Sequence, residues 1–102
     1  MSVLITLQAA GDGAQLEQAA QSDPERIERI MASAKSQGLI AHHFWASDDS
    51  ILVVDEWPDA ESFQTFFSSE TDIPQFMADA GITTQPSVTV WRKLNTNDDY
   101  RA

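Results

Sequence analysis

The chain has 102 residues, sixteen Asp and Glu against six Lys and Arg, and no cysteine. That length fits one domain whose core holds without a metal or a cross-link, and the missing thiols exclude disulfides, thiolate zinc sites, iron–sulfur ligation and cysteine nucleophiles. A formal charge of −10 argues against a nucleic-acid partner, whose phosphates are met by Lys and Arg, and against docking on an anionic membrane surface.

Met1-Ser2-Val3 carries no basic segment, and Thr6 and Gln8 interrupt the apolar run that follows. This matches neither a secretion signal nor a spanning helix, so a cytoplasmic protein is expected. Val3 to Gln8 alternates with period two and is β-branched, which predicts a strand ended by Gly11-Asp12-Gly13. Leu16, Ala19 and Ala20 point to a short helical piece.

A helix starts at Ser22-Asp23-Pro24-Glu25, either with Ser22 as cap and Glu25 reaching back, or with Asp23 as cap and Pro24 in the first turn. Ile27, Ile30, Met31 and Ala34 recur at helical spacing, and Gly38 suits a left-handed C-terminal cap. Ile40 to Ala46, the turn Ser47-Asp48-Asp49-Ser50, and Ile51 to Trp57 together predict a hairpin. Asp48-Asp49 has too few ligands for a calcium loop. Asp59 can cap a helix with the core stripe Ala60, Phe63, Phe66 and Phe67. A further short helix runs from Thr71 or Asp72 to Gly81, and Pro86 precedes a last strand, Ser87 to Leu94.

The order β-α-β-β-α-β, with each helical region in two pieces, is the ferredoxin-like plan: an α+β sandwich with an antiparallel four-stranded sheet and helices on one face. A single domain over residues 1–94 is expected, followed by a polar tail, residues 95–102. Alternation assigns Val3, Ile5 and Leu7 to the helix side, with Leu52, Val54, Val88 and Val90. The bare face then holds Leu4, Thr6, Gln8, Ile51, Val53, Asp55, Trp57, Thr89 and Trp91. So large an apolar face predicts a homodimer in which two sheets meet and enclose a cavity for a small apolar or aromatic ligand.

The run Leu52-Val53-Val54-Asp55-Glu56-Trp57-Pro58-Asp59-Ala60-Glu61-Ser62-Phe63 resembles the third strand and following helix of the dimeric α/β-barrel proteins, which include the antibiotic-biosynthesis monooxygenase-like proteins. The resemblance implies a dimeric α/β barrel and a cofactor-independent monooxygenase acting on aromatic or polyketide-like molecules, with Trp57 lining its pocket. Haem-degrading relatives use an Asn on the first strand, a Trp ending the third and a His on the next helix. Trp57 matches the second and Gln8 lies near the first, but the helix offers Phe63, Phe66 and Phe67 where the histidine would stand.

His42 and His43 are the only histidines; as strand neighbours they point to opposite faces and cannot chelate one ion together. His43 shares a face with Trp45 and is the candidate general base, with His42 toward the helix layer or edge. Asp55, in line with Trp57, is a second candidate base, because a carboxylate enclosed by apolar side chains suits that role. Its other assignment is as a partner of Arg92 or Lys93. Trp45, Trp57, Trp91, His42 and Gln8 are the candidate ligand-binding residues; no metal and no cofactor is expected. No phosphate loop, nucleophile elbow, HExxH or dinucleotide fingerprint occurs. The competing reading is a non-catalytic dimeric module that binds a ligand or partner.

Overall fold

The strand and helix patterns resolve into eight elements in the computed structural model, which describes residues 1–102. They are β1 (Val3–Ala10), α1 (Gly13–Ser22), α2 (Pro24–Ser36), β2 (Ala41–Ala46), β3 (Ser50–Trp57), α3 (Ala60–Ser69), α4 (Asp72–Asp79) and β4 (Ser87–Trp91). The strands form one antiparallel sheet in the order β2-β3-β1-β4. This is the ferredoxin-like topology, with the two central strands one crossover apart in sequence.

Local chemistry sets the boundaries. Asp12, Asp23 and Asp59 each accept a hydrogen bond from a backbone N–H of the helix that follows, at 3.0, 3.2 and 2.7 Å. Asp23 is therefore the cap of α2, with Pro24 in the first turn, while the Ser22 hydroxyl turns back to donate to the Ala19 carbonyl. Gly38 ends α2 at φ +114°, backbone that a side chain would strain. β4 stops at Trp91, three residues short of the predicted end; residues 92–102 are exposed and make no strand. No helix is long and apolar enough to cross a membrane.

The core lies between sheet and helices in two adjoining clusters. Ile5, Leu7, Ala34, Trp57, Phe63 and Phe66 form one; Leu16, Ala19, Ile51, Phe76 and Ala80 form the other. Buried Arg26 ties α2 to α4 through an ion pair of 2.9 Å with Asp79 and lies 5.5 Å from the centre of the Phe76 ring. On the surface between the same helices, Arg29 meets both oxygens of Asp72 at 3.2 and 3.3 Å.

The assignment of faces is right for β1 and reversed for β3. Ile51, Val53, Asp55 and Trp57 face the helices: Trp57 and Ile51 are core residues, and Val53 packs against the core. Leu52 and Val54 are therefore on the bare face, beside Leu4, Thr6 and Gln8. The physical reason is register. Pairing of Ile5 with Asp55 and Val3 with Trp57 puts those β3 residues on the same face as the buried β1 residues.

Candidate functional site

The hairpin of β2 and β3 builds the site. Its turn, closed by the Ser47 N–H donating to the Ser50 carbonyl at 2.9 Å, sets Ala46 opposite Ile51. Counting outward, His42 falls opposite Asp55, and both side chains point toward the helices. The His42 Nδ1 lies 2.6 Å from Asp55 Oδ1. Trp57, two residues along the same strand, donates its indole N–H to Asp55 Oδ2 at 3.2 Å. Trp57 is 0% exposed and Asp55 6%. A buried carboxylate thus has a partner on each oxygen, as burial of a polar group demands.

The surroundings hold Trp57 in place. Its ring centre is 5.4 Å from Phe66 and 6.0 Å from Phe63, and Phe63 stacks on Phe67 at 5.3 Å. The Phe stripe of α3 therefore packs the back of the indole and directs its N–H at the carboxylate. His42 is more accessible, with 22% of its side chain exposed. The Phe44 ring stands edge-on to it at 4.9 Å and reaches toward Phe76 at 6.3 Å.

His42 and Asp55 both line a cavity of about 120 Å³ between the sheet and the helices. Its walls come from β1 (Leu7, Ala9), α2 (Ile27, Ile30, Met31, Ala34), β3 (Ile51, Val53) and α3 and α4 (Phe63, Phe67, Ile73, Phe76, Met77). His42 and Asp55 are its only polar lining residues, and neither Lys nor Arg lines it. The enclosure is thus apolar with one polar pole, and the two methionines give its wall adaptable side chains.

Within the single chain, the cavity lies between the sheet and the helices. His42 and Asp55 come together there, whereas Trp57, expected to line the pocket, does not: it is buried in the core behind Asp55, with its indole N–H on the carboxylate. His43, Trp45, Trp91 and Gln8 do not line it and stand on the other face. His43 and Trp45 are 6.5 Å apart, and Trp91 donates its indole N–H to the Thr6 hydroxyl at 2.8 Å. Arg92 and Lys93 are not partners of Asp55; Lys93 meets Asp99 instead, at 2.7 Å. The His42–Asp55 pair escaped the reading of the strands one at a time, although the hairpin turn carries the signal for it.

Other charged contacts lie outside the cavity. Arg29 holds the Asp72 carboxyl below the usual range, and in return Asp72 raises the Arg29 guanidinium. Arg26, with help from Gln75, lowers Asp79, and the Ser62 backbone N–H lowers Asp59. No three His, Asp or Glu side chains converge in a way that would hold a metal ion.

An antiparallel sheet backed by helices in this order defines a ferredoxin-like domain, here with an apolar cavity between the layers. No protein-family model matches the chain, and no curated protein matches its sequence. The similarity is in structure, to antibiotic-biosynthesis monooxygenase-like proteins. SnoaB of Streptomyces nogalater, a cofactor-independent oxygenase, is 16% identical with a TM-score of 0.61, over 96% of this chain and 97% of its own. The ActVA-Orf6 monooxygenase of Streptomyces coelicolor, solved with nanaomycin D, gives 9% and 0.68, over 97% and 93%. A dimeric ferredoxin-like protein of an uncultured marine organism gives 17% and 0.63, over 99% and 93%. At such identities the likeness is one of fold.

Proposed function

We propose that the protein is a small homodimeric enzyme of the monooxygenase-like kind, acting on an apolar ring compound held between its sheet and helices. The observation that carries this reading is the chamber itself: an apolar wall broken at one place, by His42 and Asp55 with Trp57 behind them. Apolar enclosure with a few convergent polar groups is the usual form of a small-molecule site. A substrate whose anion reacts with dioxygen needs from the protein only deprotonation, shape and exclusion of water. The monooxygenases of the same fold, SnoaB and ActVA-Orf6, support the chemistry by analogy.

The homodimer rests on the bare sheet face, where Leu4, Trp45 and Trp91 are 42%, 61% and 52% exposed. A patch of that kind on a monomer would invite association. A twofold pair is the commonest way to cover such a face, and the marine protein of this fold is dimeric. His43, Trp45, Trp91 and Gln8 then belong to subunit association, whereas His42 and Asp55 face the ligand, with Trp57 holding Asp55 from behind.

Thermal shift and oxygen uptake with a panel of neutral bicyclic and tricyclic aromatic ketones and phenols test the reading. A ligand at a hundred times its Kd adds about 2.7 kcal/mol of stability. Met77→Trp, which fills the chamber, should abolish that gain without unfolding the domain. Binding that survives the filled chamber would refute the location. Binding with no oxygen uptake across the panel would favour the non-catalytic module.

A further inference from the structure

Resting on the small-molecule role just proposed, we infer that His42 is the base of this site, that Asp55 positions it, and that the substrate is an uncharged carbon or oxygen acid. The two polar groups of the chamber are not equivalent. Trp57 can only donate, so Asp55 Oδ2 is committed to accepting from it at 3.2 Å. Asp55 Oδ1 is committed to the His42 Nδ1 at 2.6 Å. Each carboxylate oxygen therefore already holds one partner, and the group is the more deeply buried of the two. With Nδ1–H turned to the carboxylate, His42 keeps the Nε2 lone pair, the one basic atom of the lining not already engaged. Accessibility agrees: the His42 side chain is 22% exposed and that of Asp55 8%. A proton taken by His42 can therefore be returned to water.

Charge sets the substrate class. No lysine or arginine lines the chamber. Arg26, the buried cation of the helix layer, is engaged by Asp79 at 2.9 Å, and Arg29 by Asp72. A carboxylated or phosphorylated ligand would bring its charge into an apolar enclosure beside Asp55 with no counter-ion. A neutral acid meets no such penalty. In the step, its C–H or O–H bond breaks, the electron pair stays on the substrate as an enolate or phenolate, and the proton forms the Nε2–H bond. The net charge of the site is unchanged, and the imidazolium arises beside the anion as that anion forms. The transfer itself needs no oxidant; dioxygen enters only in the oxygenation proposed above.

The probe is 2-tetralone, a neutral bicyclic ketone with an acidic methylene, in deuterium oxide under nitrogen. Loss of the methylene proton signal is followed by NMR, and binding separately by thermal shift. The wild type should exchange the methylene saturably, and His42→Gln should bind the ketone but exchange it about a hundredfold more slowly. Asp55→Asn presents an amide that can donate to Nδ1, driving the imidazole proton onto Nε2. Its kcat for exchange should fall by a similar factor, with KM within about twofold, a split that mere loosening of the fold would not give. The anion 2-naphthoate should not stabilise the protein.

His42→Gln exchanging at the wild-type rate while bound would overturn the base, as would a wild type that binds the ketone and never exchanges it. That second result leaves the chamber standing as a binding site. Failure of 2-tetralone to bind, or equal stabilisation by 2-naphthoate, would overturn the substrate class. Exchange under nitrogen by a protein that takes up no oxygen with its ligands in air would sustain the base and remove the oxygenase reading.

Discussion

Replacing Asp55 by alanine tests whether the carboxylate is a structural necessity of the core as well as part of the site. In the folded chain it accepts from Trp57 and meets His42, with Trp57 fully buried and Asp55 nearly so. Truncation removes two bonds to a charged group and leaves the Trp57 N–H without an acceptor. An unsatisfied buried donor costs about 1–3 kcal/mol and each bond to a charged group contributes about 1.5–3, while relief from desolvating the carboxylate offsets part of the sum. We expect a net loss of about 2–4 kcal/mol, or roughly 10–20 °C in Tm for a domain of this size. Asp55→Asn keeps an acceptor for the indole and should lose about 1 kcal/mol. Urea unfolding of the two variants, of Trp57→Phe and of the Asp55→Ala/Trp57→Phe double variant gives the coupling directly. The double variant should lose about 1–2 kcal/mol less than the two single losses together, because the orphaned indole N–H is gone in it. Asp55→Ala within about 0.5 kcal/mol of wild type, or strictly additive losses, would refute the reasoning.

Gly38→Ala should cost about 1–2 kcal/mol in urea unfolding, because a φ of +114° is strained for any side chain and its Cβ would stand 3.2 Å from Pro58 Cγ. Asp59, Asp72 and Asp79 all titrate below their ordinary 3.8 in the folded chain. The stability they contribute is therefore fully present above that value and is lost as pH falls through the lower folded values. A variant with Asn at all three should show a shallower fall of Tm between about pH 5 and pH 2 than the wild type. Trp91→Glu should convert the proposed dimer into a species of 11.3 kDa in light scattering. A wild type already at that mass would remove the dimer.

The element order was legible because its signals are local. Asp23-Pro24, Asp59, Gly38 and the acidic turn at Asp48-Asp49 each act within a few residues, and each stands where the chemistry puts it. The facing of β3 was not legible from that strand alone. Ile51, Leu52, Val53 and Val54 are all apolar and offer no alternation to read, since β3 is a central strand with one face under the helices and the other only partly exposed. Asp55 went with Trp57 to the bare face by the same alternation. That partner, His42, becomes visible only when the hairpin is counted from its turn. The last strand was overextended because Trp91-Arg92-Lys93-Leu94 looks like a strand, while β1 offers only Val3 beyond Leu4, the partner of Trp91.

The turn at Ser47–Asp49 has a consequence for how this site can change over time. It sets which side chain of β2 stands across from Asp55, and a slip of one residue exchanges every side chain between the two faces. In most hairpins a length change there would empty the site. Here the neighbours are two histidines in tandem. A slide in one direction would put His43 opposite the carboxylate and turn His42 outward; a slide in the other would put Ala41 there. The doubled histidine thus keeps an imidazole opposite the carboxylate in one direction of slip, but brings Trp45 in where Phe44 packs against Phe76. A relative whose turn differs by a single residue could keep the same imidazole–carboxylate pair on a different sequence position while presenting a new bare face of the sheet.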